Sequence, residues 1–218
     1  EASTIDDKDQ IECVRLAAKH INKRMPVIAG ALAGTCSLKL RGAAQRAGLM
    51  PLGLCATDAG IGRVVPADPR LGRVGVIESG DSAAKRRLQA LLDAGFTPVI
   101  SSVGMDAAGA LWNINADDAA VASAALLGAP LTFLSDVPGV LDANKHLFEQ
   151  LNEEQAETLI AEGVISGGMT VKVRAAFRAA AMTGKPVAAA SVFDPMLPNK
   201  LASAQLPGTP FTIEGIRR

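Results

Sequence analysis

The chain has 218 residues with 22 basic and 22 acidic side chains, so it carries no formal net charge at pH 7. That balance excludes a bulk electrostatic pull toward nucleic acid or an anionic membrane. Apolar residues make up 49%, aromatics only 3%, and there is no Tyr, so an aliphatic core is expected.

Residues 1–9 are polar and acidic, with Ser3, Asp6, Asp7 and Asp9 as candidate caps of a helix carrying Ile11, Val14, Leu16, Ala17, Ala18 and Ile21. Residues 26–29 read as a short buried strand closed by Gly30, and 31–48 as a helix with a basic tail of Arg41 and Arg46. Met50–Cys55 is an apolar strand, followed by a turn at 57–60. Val64-Val65 and the run 74–77 flank a Pro/Asp/Gly-rich connection, which predicts a hairpin standing off the main sheet. Asp81 and Ser82 cap a helix that runs to Ala94 and stops at Gly95. A strand at 97–101 follows, then a turn at 106–109 leading into Leu111 and Trp112.

The stretch 113–142 reads as a polar loop, an Ala/Leu-rich helix stopped by Gly128, an apolar strand at 130–134 and a second polar loop from Ser135-Asp136. Its two loops should meet at one sheet edge, beyond the carboxyl ends of the strands, where open α/β sheets bind ligands. The plainer alternative is an ordinary helix–strand unit with polar turns. Farther on, Asn152-Glu153-Glu154 opens a helix to Glu162, and 169–183 is a basic amphipathic helix with Lys172, Arg174 and Arg178. Residues 186–190 form a buried strand and 209–213 an edge strand. The alternation predicts an α/β fold, a mostly parallel sheet sandwiched by helices.

Cys13, Cys36 and Cys55 are odd in number and form no CxxC pair, which fits a reducing compartment. His20 and His146 are too far apart to suggest a zinc site. No apolar run reaches spanning length and there is no signal-peptide pattern, so a cytoplasmic location is expected. Neither GxxxxGK[ST] nor a GxGxxG after a strand occurs.

Three motifs carry chemistry. In SGGMTVK (166–172), two glycines before a helix would let backbone N–H groups approach an anion, with Lys172 one turn in; the alternative is a hinge with a solvated lysine. Asn113, Asn115 and Asp117 alternate along what reads as an extended segment, so they would share a side. Asp117 could hold a lysine ammonium or approach a metal ion, or these residues could do Asx-turn and N-cap duty. Asp136 and Asp142 in SDVPGVLD could bind nucleotide or magnesium, or could serve the turn around Pro138-Gly139.

Together, ALAGT (31–35), PVISSVG (98–104), NINAD (113–117), LSDVPGVLD (134–142) and SGGMTVK resemble the amino acid kinase family, its acetylglutamate branch above all. The resemblance implies the carbamate-kinase-like fold, with an amino-acid lobe at 1–112 and a nucleotide lobe at 113–218. It implies ATP- and Mg2+-dependent phosphorylation of the side-chain carboxylate of N-acetyl-L-glutamate, within arginine biosynthesis, by a homodimer. By matching positions, Lys172 resembles the lysine that stabilises the transferring phosphoryl group, and Asp117 the aspartate that organises it. Asn113 resembles a substrate contact. Asp136, Val137, Pro138, Gly139, Val140, Leu141, Val164, Ile165 and Ser166 resemble nucleotide-binding positions.

The family's KxGG and HGGG motifs are not in this sequence, and it opens on Glu1 rather than Met. The expectation is therefore an incomplete amino-acid lobe, with part of the protein outside this sequence. If the chain is this short, weak or absent turnover with retained nucleotide binding is expected, as in a regulatory pseudokinase of the same fold.

Overall fold

A computed structural model describes residues 35–203 and 205–213. The elements expected before Thr35, including most of ALAGT, lie outside the described residues, as do the side chains of Cys13, His20 and Cys36.

The described chain runs α1 (Thr35–Arg46), β1 (Met50–Cys55), β2 (Gly62–Pro66), β3 (Val74–Ser79), α2 (Ser82–Asp93), β4 (Phe96–Ser101), β5 (Val103–Met105), β6 (Leu111–Ile114) and α3 (Ala116–Leu127). It continues through β7 (Leu131–Ser135), β8 (Leu151–Asn152), α4 (Glu153–Ala161), α5 (Gly167–Thr183), β9 (Val187–Ser191), α6 (Leu197–Ala202) and β10 (Thr209–Thr212). The α/β class holds, with β1–β4, β3–β6, β7–β9 and β8–β10 paired in parallel. Among the described residues these strands divide into three sheets: β1-β4, β2-β3-β6-β5 and β7-β9-β10-β8.

The hairpin expected around the Pro/Asp/Gly-rich connection is β2–β3, but it does not stand off by itself: β3 pairs with β6, and the hairpin joins β6 and β5 in a four-stranded sheet. The small strand β5 has no sequence counterpart above, because three residues around Gly104 are too few for a periodic signal. Its turn is held by Asp106, which accepts from the backbone N–H of Ala108 and Ala110 and from Trp112 Nε1.

The strand expected at the edge, β10, is internal: it pairs antiparallel with β9 and parallel with β8. Its four residues alternate buried and half-buried, a pattern that does not distinguish an edge from a centre.

Helix α3 is central. Asn115 caps it by accepting from Asp117 N at 2.8 Å, and Gly128 ends it in the left-handed region at φ 66°. It is apolar nearly all round, as a helix buried on several sides must be. Ala119, Ala122 and Leu126 join a core with Ile61, Val64, Leu88 and Ile100. Ala120 and Val121 join a second core with Phe133, Val173, Phe177, Val187 and Phe211. Full burial of a side chain such as Leu88 is worth about 2 kcal/mol. In the second core, the Phe177 and Phe211 rings meet edge to face at 5.2 Å.

Strand β7 lies over this second core. Phe133 points into it, while Leu134 points to the opposite face and packs against Ala190, Val192 and Leu197. The period-2 alternation of a strand thus separates helices α3 and α5 from helix α6.

Candidate active site

Strands β7 and β9 are parallel and in register, so Ser135 and Ser191 end side by side. Helix α3 precedes β7 through a short turn and α5 precedes β9 in the same way, so each helix runs back along its strand. The N-termini of both helices therefore lie at the edge where the two strands end. This is the sheet edge at which the two polar loops of 113–142 are expected to meet.

At that edge, Lys172 Nζ donates to Asp117 Oδ1 at 2.8 Å, joining residues that are 55 apart in the chain. Both side chains are mostly shielded, 17% and 21% exposed. The ammonium also stands 5.1 Å from the centroid of the Phe133 ring. The cation is thus held largely out of solvent, beside a carboxylate and an aromatic ring. Next to it, Arg178 pairs with Asp118 on the same two helices.

The structure corrects one spacing inference. Asn113, Asn115 and Asp117 do not share an extended segment: β6 ends at Ile114, Asn115 is the N-cap and Asp117 lies in the first turn of α3. Asn115 is thus occupied in capping. Asn113 stays exposed on β6, and its side chain has no hydrogen-bond partner among the described residues.

The loop after β7 divides by burial. Asp136 and Pro138 are exposed, Val137 and Leu141 are half-buried, and Gly139 and Val140 are buried. Ser135 Oγ donates to Asp136 at 3.0 Å. Val140 N donates to Thr209 Oγ1 at 3.0 Å, and that hydroxyl donates to Phe148 O at 2.9 Å. A Cβ on Gly139 would come within 2.6 Å of Thr209 Oγ1, so only glycine lets the loop approach β10 this closely. Thr209, fully buried, was missed in the sequence because a threonine in a β-strand is ordinary.

Asp142 serves the turn, as its alternative reading allowed. It accepts from Asn144 N and His146 N, each at 2.8 Å, and these bonds, that of His146 foremost, hold its carboxyl below the usual range. A depressed carboxylate pKa contributes stability above the unfolded value and loses it as pH falls through the folded one. The protection of the Asn144 and His146 amides, relative to a free amide at the same pH, should therefore begin to fall only below about pH 4, where a free Asp takes up its proton. Replacing Asp142 by Asn should flatten that step.

The helix expected from residue 169 starts at Gly167 instead, two residues early, because glycine can adopt φ 58° at its first position. Ser166 is the N-cap but makes no side-chain capping bond, which leaves first-turn N–H groups without that partner. Nothing lies within 4 Å of a Cβ built on Gly167 or Gly168. Before it, Val164 is half-buried, Ile165 is buried at 2% exposure, and Ser166 is exposed.

No group of three or more His, Cys, Asp or Glu ligands comes together among the described residues.

The model of the amino acid kinase family matches residues 3–190. The chain is 47% identical over 188 residues to the acetylglutamate kinase of Vibrio vulnificus strain YJ016, covering 86% of this chain and 70% of that one. The N-acetylglutamate synthase of Neisseria gonorrhoeae, solved with coenzyme A and N-acetyl-glutamate, superposes with TM-score 0.77 at 19% identity, covering 94% of this chain and 57% of that one. The carbamate kinase of Giardia superposes with TM-score 0.63 at 16% identity, covering 98% and 94%. At such identities these two structures speak for the fold.

Proposed function

The chain belongs to the amino acid kinase family, and from that premise we propose that it transfers the γ-phosphoryl group of ATP to the side-chain carboxylate of N-acetyl-L-glutamate. The observation that carries this reading is the shielded Lys172–Asp117 pair at the open end of β7 and β9. The acceptor carboxylate is ionised at neutral pH, so attack on phosphorus needs no general base. Its oxygen forms the new P–O bond, the bond from the γ-phosphorus to the bridging oxygen breaks, and ADP leaves with that electron pair. The task left to the protein is to bring two anions together and to place positive charge where negative charge develops.

In this proposal Lys172 supplies that charge and Asp117 aims it. Asn113, exposed with a free amide, contacts the N-acyl amino acid through its donor and acceptor. The exposed part of 136–141 and the open turn at 166–168 receive the nucleotide phosphates. The positive end of the α5 dipole and its free N–H groups suit that task. Residues 1–112 then form the amino-acid lobe and 113–218 the nucleotide lobe, with α3 packing into both cores. A homodimer in the cytoplasm belongs to the same proposal.

The test is to incubate the protein with ATP, Mg2+ and N-acetyl-L-glutamate and to trap the acyl phosphate with hydroxylamine. Hydroxamate formation supports the proposal. ATP binding without hydroxamate would instead identify a nucleotide-binding protein without turnover, and a panel of other carboxylate and phosphate acceptors separates the remaining kinases of this fold.

Gly168→Ala gives a second check. The added methyl meets open space, so folding stability should be unchanged or raised by up to about 1 kcal/mol, since alanine is the better helix former. The same methyl would intrude where phosphate is proposed to sit, so the KM for ATP should rise about tenfold or more. Thermal melts and initial rates measure the two effects, and an unaltered KM would remove phosphate from this turn.

A further inference from the structure

The geometry points to Phe133 as a positioning residue for Lys172, an inference that rests on the catalytic role proposed for that lysine. Phe133 lies mid-way along β7 and is 4% exposed, so its ring cannot move aside without opening the second core. It packs with Ala120 and Val121 of α3 and with Val173 and Phe177 of α5, the two helices that carry Asp117 and Lys172. The Lys172 ammonium stands 5.1 Å from the ring centroid, within reach of the negative face of the π-system.

An ammonium has three N–H donors and no acceptor. One is taken by Asp117 at 2.8 Å. The ring holds the inward side by electrostatic attraction and offers no other hydrogen-bond acceptor there. The remaining N–H groups are thereby directed to the open edge of the sheet. An aliphatic residue would fill the same volume without the attraction, and the ammonium could then settle in several rotamers. Small misplacements of a catalytic group are expensive in rate, up to about 100-fold for a shift near 1 Å.

The test is Phe133→Leu, with Phe133→Met as a second volume-matched variant should the first fold poorly. In either, kcat should fall about tenfold while the KM for ATP stays within about twofold. In a Lys172→Met background the same replacement should leave kcat unchanged. A readout independent of turnover is the labelling of Lys172 by an amine-specific acylating reagent, mapped by peptide mass spectrometry. It should accelerate about threefold to tenfold once the ring is gone. Equal loss of kcat with and without Lys172, or labelling at the parent rate in a folded variant, would reduce Phe133 to core filling. If the parent protein makes no hydroxamate, the kinase reading fails, while the labelling comparison still decides whether the ring holds the ammonium.

Discussion

Lys172→Ala should lower kcat by about 100- to 1,000-fold while changing the dissociation constant for ATP by no more than a few-fold. The magnitude is that of removing one preorganised charge from where a transition state becomes more negative. The split between kcat and affinity follows from position. Lys172 is the sixth residue of α5, inside the helix, whereas the N–H groups of the first turn and the 136–141 loop remain available to the nucleotide. Loss of an interaction made only in the transition state lowers kcat and kcat/KM together. The fold should survive, because Asp117 is 21% exposed and near the helix N-terminus, where a carboxylate is favourable without its lysine. The measurement is steady-state hydroxamate formation beside ATP titration by calorimetry. A variant that turns over at the parent rate would remove Lys172 from the mechanism.

Thr209→Val should be the costliest conservative change for stability. The replacement is close in shape but removes one oxygen that makes two hydrogen bonds, one buried and one partly buried. Val140 N–H, on a residue fully out of solvent, would keep no partner, and Phe148 O would lose its donor. An unsatisfied buried group costs about 1–3 kcal/mol and a half-buried one less, so a loss of about 1–4 kcal/mol is expected. The same bonds tie the loop after β7 to β10, across 69 and 61 residues of chain. Weakened ATP binding should therefore accompany the lower stability, and denaturant melts with and without ATP separate the two. A melt within 1 kcal/mol of the parent would mean that water takes over both bonds.

Much of the fold was legible because its signals are local. Gly128, Asp81 and Asn152 act within a single turn of chain, and the structure uses each at or next to its expected helix end. Met50–Cys55 is a strand over the full length that its apolar run suggests. The errors arose where the deciding contact is remote or where one residue type allows two conformations. Gly167 started α5 early because a glycine can open a helix at positive φ as readily as it can break one. The Asn113–Asp117 alternation was misread because the capping carbonyl of Asn115 turns the chain into a helix at that point.

The sequence by itself determined most of the longer elements in order, several turns and caps, and the family to which NINAD, SDVPGVLD and SGGMTVK belong, but not the short elements β5, β8 and α6. Only the tertiary structure decided which of these residues meet. It put Lys172 on Asp117 and above Phe133, placed β10 inside its sheet, and left Asn113 exposed on β6. The physical reason is range. Capping bonds and hydrophobic periodicity are settled within a few residues, whereas the site depends on β7 and β9 pairing in register across 56 positions and drawing their helices to one edge.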